Sequence, residues 1–211
     1  MTFYDLAAPV YGVWAALTES KAHRRAVAAL IECPIRNLLE VAVGTCTECA
    51  KIQADPTLDG CLVVDLSMAM LKRARRRLEA PRRKRALLCQ ADARALPFRA
   101  GSFDGLLNCY MIDLLSEADI PAVMQEFRRV LCPDGRLLLV PMARQKPIVQ
   151  ELWMWVFRHF PLLVGGCRPL DVAGWLRRSG WQLERQEQIS QMGVRSELFV
   201  ARPSPPQRAG A

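Results

Sequence analysis

Asn37-Leu38-Leu39-Glu40-Val41-Ala42-Val43 runs directly into Gly44-Thr45-Cys46. An apolar run this short, ended by a turn residue, reads as a buried strand rather than a helix. A helix is expected next, around 47–54, stopped by Asp55-Pro56. The alternation then repeats. Cys61-Leu62-Val63-Val64-Asp65 is a second strand, and Ser67 is placed to cap a helix reaching about Glu79. Strands follow at 85–90 and 103–109, then a helix over 120–131. The turn Cys132-Pro133-Asp134-Gly135 leads into a fifth strand, 136–140. Strands alternating with helices predict an α/β fold: a doubly wound, mostly parallel sheet with helices on both faces.

Outward from this centre, residues 3–32 look helical and amphipathic, broken near Pro9 and Gly12 and ended before Pro34. Beyond Pro141, the stretch 148–160 is rich in Trp and Phe and reads as helical. Another helix is expected over 170–179, then a final pair of strands at 181–188 and 194–201. The expected organisation is one domain over 1–201: a helical cap (1–34), a core (35–140) and C-terminal helices and strands (141–201). A flexible tail, 202–211, carries three prolines.

Composition sets limits on the class. With 211 residues, 51% apolar and 24% charged, the chain can bury one sizeable core without disulfides or metal. The longest uncharged stretch, Leu6 to Thr18, is 13 residues, too short to span a bilayer, and Asp5 precedes it with no basic residue. The eight cysteines are spread through apolar runs and read as reduced, which makes the cytoplasm the expected compartment. Between Lys72 and Arg85 there are nine basic residues and one acid, so this window alone carries the chain's net charge of +8. Such a run reads either as a solvated helix face and loop or as contact with an anionic membrane surface or substrate. Nucleic acid is not expected, since no aromatic residue interrupts the run to stack on bases.

Three acids end successive strands or lie on them: Glu40, Asp65 and Asp92. Ligands of doubly wound sheets bind at the carboxyl ends of the strands. Gly44 would let a backbone approach closely there, and a carboxylate such as Asp65 can accept both hydroxyls of an adenosine ribose. Asp92-Ala93, followed by Leu96-Pro97-Phe98, would suit an adenine amino group and its flat face.

Taken together these segments resemble the class I S-adenosylmethionine-dependent methyltransferases. The branch indicated holds the ubiquinone/menaquinone-biosynthesis and bacterial phosphatidylethanolamine N-methyltransferases. The matching residues are Tyr4-Asp5 with Ala8 and Tyr11; Leu39 to Thr45; Val64-Asp65-Leu66-Ser67 with Met70-Leu71; Asp92-Ala93-Arg94 with Leu96-Pro97-Phe98; Phe103-Asp104; and Phe127-Arg128-Arg129-Val130-Leu131 with Pro133-Asp134-Gly135-Arg136. The resemblance implies a Rossmann-like sheet of about seven strands, the last antiparallel, with S-adenosylmethionine as cofactor. It implies that Glu40, Ala42 and Gly44 line the methionine end and that Asp65 holds the ribose. Leu66 would pack on adenine, while Asp92 and Ala93 meet its edge. Asn108 would face the cofactor from the loop after strand four, and Tyr4 and Tyr11 would close the site. The chain departs from the family where Cys46 replaces a usual glycine and Ala42 a frequent one; Cys46 places a side chain where helix and strand approach.

Cys46 and Cys49 also have the spacing of a redox pair at a helix N-terminus. Against that, the downstream acids have no role in such a protein. A structural zinc lacks its four ligands, with only His23 and His159 to add. Methyl transfer is an in-line displacement that positioning can drive. Where the acceptor arrives protonated, Tyr4, Tyr110 and His159 are the candidate bases, each of which also reads as a packing residue. Trp153 in the aromatic segment, and Arg168, are the candidate contacts for a small-molecule or lipid-like acceptor. The alternative is a degenerate fold that binds or assembles without catalysis.

Overall fold

The computed structural model describes residues 18–43, 52, 57–78, 86–144, 151, 155, 159 and 170–205. Its elements in chain order are α1 (Ser20–Ile31), β1 (Asn37–Val41), β2 (Gly60–Asp65), α2 (Met68–Leu78), β3 (Leu87–Gln90), β4 (Phe103–Cys109), a 3-10 turn (Ile112–Leu114), α3 (Ile120–Val130), β5 (Leu131–Val140), α4 (Val172–Arg178), β6 (Trp181–Gln191) and β7 (Val194–Pro203). The strands form one seven-stranded sheet in the order β3-β2-β1-β4-β5-β7-β6. β1 to β5 pair in parallel, and β7 runs antiparallel between β5 and β6. Chain order reverses between β1 and β4, which is where such a sheet opens a crevice.

Alternation along the strands divides the core in two. Leu39, Val41, Leu106, Leu137, Leu139 and Phe199 face α3 and α4. Leu38, Leu107, Leu138, Leu198 and Val200 face α1. On that second face Leu71 and Ala74 of α2 pack on Val63. In α3 the buried residues Ile120, Val123, Met124, Phe127 and Val130 recur at helical spacing. α1 buries Ala22, Ala26, Ala29 and Leu30, small side chains for the most part, which let it lie close to the sheet. Ser67 caps α2 as expected, its Oγ accepting the Met70 N–H at 3.3 Å.

Several boundaries differ from the sequence reading. β1 ends at Val41 because Ala42 turns out of the sheet with φ +56°. The turn 132–135 lies within β5, absorbed as an irregularity between the Phe103–Leu131 and Gly105–Arg136 pairings. Arg202 and Pro203, expected in a flexible tail, belong to β7 and pair with Gln182 and Trp181; the Ser204 carbonyl accepts from Arg128 Nη2 at 2.9 Å. Residues 206–211, the helix expected over 47–54 apart from Ile52, and most of 148–160 lie outside the described residues.

Candidate active site

A cavity of about 220 Å³ opens at the carboxyl ends of β1 to β4. Val41 and Ala42 come from β1 and its turn, Val64 to Ser67 from β2 and its turn, and Met70 from α2. Ala91 to Ala93 follow β3, Cys109 to Met111 follow β4, and Leu114 and Leu115 complete the wall. Parallel pairing brings these ends level, with Val41 opposite both Val64 and Asn108 and Asp65 opposite Gln90. Hydrogen bonds carry the ladder past the strand ends, from Ala42 N–H to the Val64 carbonyl (2.8 Å) and from Ala91 N–H to that of Asp65 (3.2 Å).

Asp65 is buried at the cavity, and its Oδ1 accepts the Ser67 N–H at 2.8 Å, which fixes the carboxylate at the start of α2. Leu66 is 58% exposed beside it, an apolar side chain available to a flat ring. Asp92 lies on the β3 side, bound to Arg94. The Arg94 guanidinium and N–H hold the Asp92 carboxyl below the usual carboxylate range, so it is ionised near neutrality. Ala93 borders it on the cavity wall. Below them the loop 96–98 is clamped from α3. Glu126 Oε2 accepts the Leu96 N–H at 2.7 Å, and Arg129 donates to the carbonyls of Leu96 (2.9 Å) and Phe98 (2.6 Å).

Other expected residues fall elsewhere. Asn108 is in β4 rather than on the loop after it, and its Nδ2 donates to the Val41 carbonyl at 2.9 Å, tying β4 to β1. Glu40 is buried in β1, opposite Val63, and is not among the cavity-lining residues. Tyr110 borders the cavity, but its hydroxyl shares a 2.7 Å hydrogen bond with Ser196 Oγ inside the core. Burial, and then the charge of Glu19, push its phenol far above the ordinary value, so a group so placed gives up its proton poorly. His159 is exposed, with Nδ1 2.9 Å from the Trp155 carbonyl and its ring against the Trp155 indole, and it is not among the described lining residues. Tyr4, Tyr11, Gly44, Cys46, Cys49, Trp153 and Arg168 lie outside the described residues.

The sequence reading passed over Asp113. It is fully buried in the turn after β4, and its Oδ2 accepts the Met142 N–H at 3.0 Å, pinning the Met111–Leu115 wall to the end of β5. A lone acid inside the apolar run Tyr110-Met111-Ile112-Asp113-Leu114-Leu115 was the available signal, since a buried carboxylate must be hydrogen-bonded.

A crevice at the switch point, with one carboxylate at the end of β2, another after β3 and a mostly apolar lining, has the acceptor pattern of an adenosyl site. Comparison with known proteins agrees with that geometry. A methyltransferase-domain family matches residues 38–135. The ubiquinone/menaquinone biosynthesis C-methyltransferase UbiE of Syntrophotalea carbinolica is 31% identical over 77% of this chain and 70% of its own length. The chain belongs to the class I S-adenosylmethionine-dependent methyltransferases. S-adenosylmethionine is the cofactor of this methyltransferase. A malonyl-[acyl-carrier protein] O-methyltransferase of Alcanivorax borkumensis is 38% identical over 61% of this chain and 42% of its own length. Several curated relatives are matched over only about half their length. Among solved structures, magnesium protoporphyrin IX methyltransferase of Synechocystis PCC 6803, with bound SAH, shares the fold at TM-score 0.69 and 16% identity, over 87% of this chain and 82% of that one.

Proposed function

We propose that this methyltransferase transfers the methyl group of S-adenosylmethionine to a small, apolar, lipid-like acceptor. The observation that carries the reading is the cavity at the ends of β1 to β4, with Asp65 and Asp92 on two walls and Leu66 exposed between them. In this assignment Asp65 accepts the ribose hydroxyls. Its fixed bond to the Ser67 N–H spends part of one oxygen and leaves the rest for ligand. Leu66 covers one adenine face, and Asp92 with Ala93 meets the ring edge. Ala42, turning the chain out of β1, leads toward Gly44 and the methionine end. Asn108 supports that turn by holding the Val41 carbonyl in place, and Glu40 is assigned with Ala42 and Gly44 to the methionine end. Tyr4 and Tyr11 close the site.

The cofactor supplies a methyl group on a sulfonium, whose sulfur leaves as a neutral thioether and needs no protonation. The protein's work is to hold the acceptor in line and exclude water. The Tyr110 geometry favours a packing role there, which leaves Tyr4 and His159 as the candidates for taking a proton from the acceptor. Trp153 and Arg168 are assigned to the acceptor, Trp for an apolar ring and Arg for an anionic substituent. The quinone-pathway name of one relative and the aromatic sequence 152–157 support an acceptor of apolar character.

Thermal unfolding with and without S-adenosylmethionine or S-adenosylhomocysteine tests the cofactor assignment, because a ligand that binds only the folded chain raises Tm. Asp65→Asn keeps the acceptor for the Ser67 N–H but removes the charge. It should weaken binding by about tenfold or more while leaving the ligand-free Tm nearly unchanged. Unaltered affinity in that variant would take the ribose role from Asp65. The acceptor is sought by mass spectrometry of lipid and aqueous extracts incubated with protein and methyl-labelled cofactor.

A further inference from the structure

Asp92 already accepts from three N–H groups of Arg94, one of them shared between its two oxygens. Its Oδ1 accepts the Arg94 backbone N–H at 2.9 Å and Nε at 3.1 Å; its Oδ2 accepts Nε at 3.1 Å and Nη2 at 2.7 Å. A carboxylate offers about two acceptor directions on each oxygen, so one arginine takes up most of the positions that a purine amino group would use. The far side of the guanidinium is held as well. Nη1 donates to Asp119 Oδ1 at 3.1 Å, and Asp119 Oδ2 accepts from Ser116 Oγ at 2.7 Å. The Asp92 and Arg94 side chains are 33% and 48% exposed, so the pair opens toward solvent without stranding a buried charge. If Arg94 gives up Asp92, it still has Asp119.

We infer that Arg94 is a specificity-determining residue of the cofactor site: it stands in for the purine amino group on Asp92 and adds N–H donors to that edge. The inference rests on the assignment of Asp92 to the adenine edge. A bare carboxylate accepts from a 6-amino group and repels a 6-oxo group. A carboxylate already joined to a guanidinium attracts the amine less and offers the carbonyl a donor. Arg94 therefore lowers affinity for the adenosyl ligand and narrows its preference over the 6-oxo counterpart. Ionic strength acts in the same direction as removal, because salt weakens a half-exposed pair.

The test is isothermal titration of the full chain with S-adenosylhomocysteine and with S-inosylhomocysteine, its 6-oxo counterpart, for wild type, Arg94→Lys and Arg94→Ala. Arg94→Ala should bind the adenosyl ligand about fivefold more tightly and raise its preference over the inosyl ligand by a similar factor. Arg94→Lys should fall between, since an ammonium cannot span both oxygens. The wild-type preference should rise with salt and that of Arg94→Ala should not. A preference unchanged by Arg94→Ala, or reduced by it, overturns the inference and makes Arg94 a structural strap. Should Arg94→Ala fail to fold, Arg94→Gln carries the same comparison. Failure of wild type to bind either ligand is a different result: it removes the adenosyl site itself, and the inference with it.

Discussion

With φ at +56°, Ala42 occupies the left-handed region, where a Cβ crowds the neighbouring carbonyl at a cost of about 1–2 kcal/mol. The position borders the cavity, so the cost falls where the backbone must turn toward a ligand. Ala42→Gly relieves the crowding but gives the unfolded chain more freedom. The net effect should be a gain of up to about 1 kcal/mol, read as a higher urea midpoint at constant slope, with cofactor affinity kept. Ala42→Val, β-branched, should lose stability in the same assay. Tyr110 is the second strained residue of the rim, at φ +52°, and its buried hydroxyl bond to Ser196 helps keep it there. Tyr110→Phe leaves the Ser196 hydroxyl with one fewer partner and should cost about 1–2 kcal/mol of stability. The pH profile of kcat should be the same in Tyr110→Phe as in wild type. A lost alkaline or acidic limb would restore Tyr110 as a base. Neither strain was legible in the sequence, because the positive φ follows from where β1 and β4 end, and that depends on pairing between distant strands.

The strands themselves were legible, for they are short apolar runs between turn residues, and the helices expected between most of them pointed to parallel pairing. Less legible was how elements hold one another. The paired motifs Leu96-Pro97-Phe98 and Phe127-Arg128-Arg129 stand thirty residues apart, and no periodicity connects them. In the fold, Arg129 and Glu126 of α3 bind the loop's carbonyls and N–H as one clamp. Arg129→Met keeps the stem but leaves the Leu96 and Phe98 carbonyls without these donors. It should cost about 1–3 kcal/mol and speed proteolysis between β3 and β4. The Arg129 hydrogen bond holds Glu126 below its ordinary pKa. Its contribution is therefore present above the unfolded value and lost as pH falls through the lower folded one. Asp92 and Asp119 are depressed likewise, by hydrogen bonds from Arg94 and from Ser116 respectively, and act in the same window. Urea midpoints at pH 7 and pH 3 should converge between wild type and Arg129→Met as the acid limb is reached; a constant gap would show that the clamp owes nothing to the Glu126 charge.

At the scale of the molecule, charge is segregated across the sheet. The β6 edge is covered by matched ions: Glu184 between Arg136 (2.6 Å) and Arg202 (3.5 Å), and Arg185 and Arg25 among Glu32 and Glu187. The opposite flank, β3 with α2, carries Lys72, Arg75, Arg76 and Arg77 exposed on one helix, with Leu87 exposed at the start of β3. The sequence located this charge but could not aim it. α2 starts at the cavity rim, where Met70 lines the wall, and because β2 and β3 are parallel it must run back toward the far end of the sheet. The cations thus lead away from the cavity mouth. No helix among the described residues is long and apolar enough to cross a membrane. An anionic vesicle should then bind the β3 flank, with each cation near the surface contributing about 1 kcal/mol. Sedimentation should show binding to anionic but not neutral vesicles, lost as salt shortens the Debye length to about 3 Å at 1 M. Replacing Lys72, Arg75 and Arg76 by Gln should weaken binding, whereas Arg25→Gln on the β6 side should not. Cofactor affinity should be unchanged in the triple variant, because none of the three lines the cavity. Equal loss from both flanks would mean that net charge alone is sensed, and no binding to either vesicle would favour an acceptor taken from solution.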